Sequence, residues 1–111
     1  MIFVTGPLFA GKRAYVRAAL GWTEEELRKN AVWDVQNLAA ETRDLDALAR
    51  RLADYPVVIA TEVGGGVIPL EPDQRAAREA AGRLACLLAE RADTVIRVFC
   101  GLPRALKGEL L

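Results

Sequence analysis

Histidine is missing altogether from this chain of 111 residues. That absence excludes every mechanism built on an imidazole base, nucleophile or metal ligand. Cysteine is scarce, Cys86 and Cys100 being the only two. Cys86 falls in a helical pattern and Cys100 at the end of a strand pattern, so both are expected as buried thiols rather than as a disulfide or metal site. Charge of one sign is not in excess, since 15 basic residues are matched by 15 acidic ones. A nucleic-acid surface needs a clustered basic excess, so no nucleic-acid partner is expected. No run of about 18 apolar residues occurs, so no membrane span is expected. The N-terminus enters a strand pattern directly and shows no signal-peptide pattern, so no signal peptide is expected. Hydrophobic residues make up 52% of the chain, enough for a core. The length suits one domain over residues 1–111, although it is small for an α/β nucleotide-binding fold.

What is present is concentrated at the start. Residues 2–5 read as a short apolar strand, and Gly6-Pro7-Leu8-Phe9-Ala10-Gly11-Lys12 follows directly. This is the Gly-x-x-x-x-Gly-Lys spacing of a phosphate-cradling P-loop, placed between a strand and a helix start. Gly6 and Gly11 permit the tight bend and the close approach of backbone to phosphate. The helix after Gly11 adds free N–H groups and the positive end of its dipole. Lys12 brings a full positive charge to the β- and γ-phosphates of ATP or GTP. The next position normally holds a Ser or Thr whose hydroxyl ligates Mg²⁺. Here it is Arg13, which has no acceptor atom and cannot ligate a cation. Two roles remain open to Arg13, contact with phosphate or simple exposure to solvent.

The rest of the chain alternates helices and strands. Residues 12–20 form a helix with Val16, Ala19 and Leu20 on one face and Gly21 as its stop. Thr23 and Glu26 make a capping box for a short helix through about Lys29. Residues 31–35 are a brief strand candidate. Asp44 caps a helix to about Asp54 with Leu45, Leu48 and Leu52 in register, broken at Tyr55-Pro56. Residues 56–61 are a continuous apolar run, as expected of a strand buried on both faces of a parallel sheet. Gly64–Gly66 is a glycine-rich loop, by itself consistent with a mere turn. A long helix spans about 73–92 with Ala77, Ala81, Leu84, Leu87 and Leu88 as its buried stripe. Arg75, Glu79 and Arg83 are spaced for i,i+4 pairing on its outer face. Residues 94–100 are the last strand. The expected fold is a three-layer α/β/α sandwich around a mainly parallel sheet.

Ligands of such sheets bind beyond the carboxyl ends of the strands. Asp34 and Glu62 are the carboxylates this reading places there, with Thr61 beside Glu62. Either carboxylate suits magnesium binding or the orientation of an attacking hydroxyl. The competing roles are a solvated or helix-capping Asp34, and a Glu62 that holds the backbone N–H groups of residues 63–66.

Thr61-Glu62-Val63-Gly64-Gly65-Gly66-Val67-Ile68-Pro69 resembles the Asn-Glu-Val-Gly-x-Gly-Ile/Val-Val-Pro segment of the adenosylcobinamide kinase/adenosylcobinamide-phosphate guanylyltransferase family. The resemblance continues through Ala81-Gly82-Arg83-Leu84, through residues 89–95, and through Gly101-Leu102-Pro103 to Leu106-Lys107. It also takes in Val4-Thr5-Gly6 and the loop to Lys12. The family belongs to cobalamin assembly. Its members phosphorylate adenosylcobinamide with ATP or GTP and then transfer GMP to the product. The resemblance implies a P-loop NTPase fold of RecA-like type, a cytoplasmic protein and a homo-oligomer, a trimer in characterised members. It also implies that Gly6 to Arg13 form the nucleotide loop, that Lys12 and Glu62 are catalytic, and that Asp34 matches a middle-strand acidic residue able to bind the metal.

The departures are as informative. Family members carry several tens of further residues between the P-loop and the middle strand, and the guanylylated histidine lies there. A chain without histidine cannot form that phosphoramidate. Thr61 stands where Asn is usual, and Arg13 replaces the metal-ligating hydroxyl. Two functions fit: a reduced adenosylcobinamide kinase without guanylyl transfer, or a catalytically degenerate paralogue that binds nucleotide, corrinoid or a protein partner.

Overall fold

The computed structural model describes residues 1–63 and 71–111. Strand β1 (Ile2–Gly6) leads through the glycine loop into α1 (Lys12–Leu20), then α2 (Glu24–Asn30), β2 (Ala31–Val32), α3 (Gln36–Ala39), α4 (Leu45–Leu52), β3 (Val57–Thr61), α5 (Pro72–Arg91), β4 (Thr94–Phe99) and β5 (Leu102–Lys107). The five strands form one sheet in the order β2-β3-β1-β4-β5. All neighbours are parallel except β4 and β5. This is the α/β architecture expected from the alternating pattern.

Alternation along the strands builds the layers. Phe3, Val58 and Val95 point to one face, where Val35, Ala39, Leu48, Leu52, Leu84 and Leu88 cover them. Val4, Val57, Ile59, Ile96 and Val98 point to the other, under Val16 and Leu27. Thus α3, α4 and α5 lie on one side of the sheet and α1 and α2 on the other. Residues 57–60 are all buried, the signature of an interior strand covered on both faces.

Local signals explain the helix boundaries. Thr23 accepts from the Glu26 N–H at 3.1 Å, and Glu26 accepts from the Thr23 N–H at 3.2 Å, a reciprocal capping box. Asp44 accepts from the Ala47 N–H at 3.0 Å and starts α4. Gly21, with φ 65°, ends α1. On α5, Ala81, Leu84 and Leu88 are buried while Ala77 and Leu87 are only half-buried. The i,i+4 pairing expected of Arg75, Glu79 and Arg83 does not form; the ion pairs of the described residues lie elsewhere.

Three further expectations need correction. The strand expected over 31–35 stops after Val32, because Asp34 turns the chain at φ 57° and Gln36 opens a one-turn helix. Asp tolerates this left-handed conformation better than most residues. The strand expected to end at Cys100 ends at Phe99. Cys100 (φ 53°) and Gly101 (φ 74°) form a two-residue reverse turn of type I′, which folds β5 back along β4 with Phe99 opposite Leu102. Both cysteines are exposed rather than buried. Cys86 lies off the Ala81-Leu84-Leu88 stripe, and Cys100 sits in the turn. Two thiols per chain are therefore expected to react at once with a thiol reagent in the native protein. Labelling only after denaturation would contradict their exposure.

Candidate functional site

The switch in strand order falls at β1, whose neighbours β3 and β4 lie on opposite sides. Open α/β sheets place ligands at such a crevice. Here it is a cleft of about 500 Å³, lined by residues 8–14, Trp33, Asp34, Ile59 and Thr61. A larger groove of about 870 Å³ runs between the start of α4 and α5, past Arg43, Asp44, Glu79 and Cys86. The cleft at the strand ends is the candidate site, because it alone of the two is edged by a helix N-terminus and a glycine loop.

The loop is held in shape by its neighbours. A Cβ on Gly6 would collide with the carbonyl oxygen of Val98 on β4, so the loop leaves the sheet where only glycine fits. Gly11 adopts φ 87° at the N-cap of α1. Glu62 donates its backbone N–H to the Gly6 carbonyl at 2.9 Å, and Gly101 donates to the Ala10 carbonyl at 2.8 Å. The hairpin turn after β4 therefore braces the loop from behind, a contact invisible in the sequence pattern. Pro7, Leu8 and Phe9 complete the outer arc, with Phe9 almost wholly exposed at φ 59°.

Lys12 is the only buried charged side chain among the described residues, at 8% exposure. Its ammonium donates to the Pro7 carbonyl at 2.7 Å across the loop. Burial pushes its pKa below the usual lysine value, the negative charges of Asp34 and Glu62 oppose that shift, and Arg13 adds to it. The ammonium has further donor protons with which a lysine at this position reaches phosphate.

Arg13 is exposed to solvent, one of the two roles left open by the sequence, and it also has a partner. Its guanidinium lies over the Trp33 ring, 5.2 Å from the centroid. Such a stack at an exposed site contributes about 0.5–1 kcal/mol. A charge-assisted hydrogen bond contributes about 1.5–3 kcal/mol, so a phosphate within reach outcompetes the ring.

The two candidate carboxylates part company. Asp34 is exposed on the cleft wall beside Trp33. Glu62 instead accepts two hydrogen bonds from Arg97 of β4, at 2.6 Å from Nε and 3.0 Å from Nη2. Those bonds hold the Glu62 carboxyl below its ordinary pKa of 4.5. Arg97 in turn lies over the Phe99 ring at 5.4 Å. The backbone N–H groups of residues 64–66, the other role considered for Glu62, lie outside the described residues. Gln36 was missed by the sequence reading; its Oε1 accepts from the Thr61 N–H at 2.9 Å and ties α3 to the end of β3.

The Glu62–Arg97 pair sets a pH dependence. The folded Glu62 pKa is lowered, so the pair stabilises the fold above pH 4.5 and loses that contribution as pH falls through the depressed value. Glu62→Gln is therefore expected to lower the urea midpoint at neutral pH, with the deficit shrinking in acid. A deficit that stayed constant with pH would show that the carboxylate charge does not matter.

The P-loop NTPases that bind magnesium use a hydroxyl at the position after the lysine together with a carboxylate. Here the hydroxyl position is Arg13, Glu62 is engaged by Arg97, and Asp34 stands beside two cationic side chains. Among the described residues no three His, Cys, Asp or Glu side chains gather as a metal site. The residues present do not fit a resident magnesium ion.

A glycine loop closing on a buried lysine, between the first strand and first helix of a parallel sheet, defines a P-loop nucleotide-binding protein. The cobinamide kinase / cobinamide phosphate guanyltransferase family model matches residues 14–106. The chain belongs to that family, one of cobalamin biosynthesis whose members use nucleotides. The match starts just after Arg13, so the loop geometry is a separate line of support for the nucleotide site. A search of curated proteins found no match. No described helix is long and apolar enough to cross a membrane.

Proposed function

We propose that this chain is a cobinamide-kinase-like protein of one domain that binds ATP or GTP in the glycine loop and transfers phosphate to adenosylcobinamide, without the guanylyl-transfer step. The observation that carries this reading is Lys12, buried at the mouth of the Gly6–Gly11 loop with Asp34 facing it across the cleft. Phosphoryl transfer demands mainly positioning and charge stabilisation. The loop amides and Lys12 hold the terminal phosphate. Asp34 rather than Glu62 orients the acceptor hydroxyl, because both Glu62 oxygens are occupied by Arg97. The hydroxyl oxygen attacks the γ-phosphorus, the bond to the β-phosphate oxygen breaks, and the hydroxyl proton passes to Asp34. Guanylyl transfer through a phosphohistidine has no residue to carry it.

Exposed Leu102 and Leu106 on β5, an edge strand of the sheet, support assembly into a homo-oligomer, as do Leu110 and Leu111 beyond it. The second reading, a nucleotide-binding paralogue without turnover, is favoured by one observation, the Glu62–Arg97 pair that removes a carboxylate from the site. The deciding experiment follows transfer of labelled γ-phosphate from ATP and from GTP to adenosylcobinamide. Phosphorylated product supports the kinase. Nucleotide binding without product leaves the binding paralogue.

A further inference from the structure

We infer that this P-loop binds its nucleoside triphosphate without a magnesium ion, Arg13 leaving the Trp33 ring to supply the positive charge that the metal supplies elsewhere. The inference rests on the nucleotide-binding reading above and concerns the same cleft.

Three observations carry it. First, Arg13 occupies the position from which a hydroxyl would hold the cation, and a guanidinium only donates. Its positive charge, next to that of Lys12, opposes a divalent cation at that point by simple Coulomb repulsion. Second, Arg13 is not committed elsewhere. Among the described residues it forms no ion pair, and it lies over the face of Trp33, which lines the same cleft. Asp34 adjoins that ring but does not pair with it. The guanidinium is thus parked at the edge of the site on a contact weaker than a phosphate bond. Third, Glu62, the other carboxylate expected to hold a metal, is bridged by both oxygens to Arg97. The loop therefore presents two cations, Lys12 and Arg13, and one free carboxylate. A planar guanidinium can hold two oxygens of a phosphate at once, which suits it to bridging the β- and γ-phosphates.

The stack also supplies a reporter, because Trp33 loses its cationic cover when Arg13 moves to the ligand. The test is ATP binding to the full chain by calorimetry, in excess Mg²⁺ and in EDTA, with Trp fluorescence recorded in parallel. The result expected is wild-type affinity that differs by less than about threefold between the two conditions, with a fluorescence change on binding in both. Arg13→Ser is expected to lose about tenfold in EDTA, the size of one charged hydrogen bond, and to regain affinity when Mg²⁺ is added. Arg13 is exposed at the first turn of α1, so this variant should keep the far-ultraviolet circular dichroism of the wild type. The wild-type comparison stands even if it does not. Wild-type binding that falls about tenfold or more in EDTA overturns the inference and leaves the P-loop reading intact. Affinity unchanged by Arg13→Ser in EDTA also overturns it, since the guanidinium then contributes nothing. Absence of ATP binding in both conditions overturns the P-loop reading itself, and the inference with it.

Discussion

Gly6→Ala is expected to destabilise the protein by about 3 kcal/mol or more, near the upper end of overpacking effects. The added Cβ would meet the Val98 carbonyl oxygen, a backbone atom and not the movable end of a side chain. Val98 cannot withdraw easily. It is fully buried in β4, which is paired to β1 on one side and β5 on the other. Gly6 cannot withdraw either, because its carbonyl holds the Glu62 N–H and its own residue begins the loop. Relief would require parting β1 from β4 at the point where the phosphate loop starts, so nucleotide affinity should fall together with stability. Urea unfolding followed by circular dichroism measures the first effect. An unchanged midpoint would mean that the loop and β4 are further apart in solution than the structure places them.

Lys12→Ala is expected to weaken nucleotide binding by roughly tenfold to a hundredfold, the range of one or more charge-assisted hydrogen bonds in a partly desolvated site. The fold should survive, since the ammonium's hydrogen bond among the described residues goes to a loop carbonyl, that of Pro7, at 2.7 Å. Lys12→Met, which keeps the apolar stem, separates the loss of charge from the loss of packing. Stability adds an independent check with a definite sign. The folded Lys12 pKa lies below 10.5, so the unfolded chain binds the proton more firmly. Wild-type stability should therefore gain as pH climbs from the depressed value toward 10.5, and Lys12→Met should lack that gain. Calorimetric titration with ATP and urea melts across alkaline pH measure both. Equal affinity in wild type and Lys12→Met would sink the assignment of Lys12 to phosphate.

Much of this arrangement was legible in the chain because its causes are local. The glycines of the loop answer a backbone requirement, and both caps of α2 and α4 are built from residues three apart. The unbroken apolar run at 57–60 had to be a strand covered on both faces. The site residues beyond Lys12 were harder. Asp34 and Glu62 read alike as carboxylates at strand ends, yet only one remains free. The difference comes from Arg97, 35 positions away from Glu62 and brought beside it by the arrangement of β1, β3 and β4. Likewise β5 hides behind Pro103 and a two-residue turn whose first residue is cysteine, an uncommon choice for a left-handed position.

The sequence by itself determined the alternation of helices and strands as far as β4, though not α3 or β5, together with the glycine-lysine spacing of the loop, the loss of the metal-ligating hydroxyl and the impossibility of a histidine intermediate. These depend on residue identity and short spacing alone. Only the tertiary structure decided that Arg13 rests on Trp33, that Arg97 claims Glu62, and that the turn at Gly101 props the loop at Ala10. Each of those joins residues distant in the chain, and no periodicity or local propensity specifies which side chains meet once strands are laid side by side.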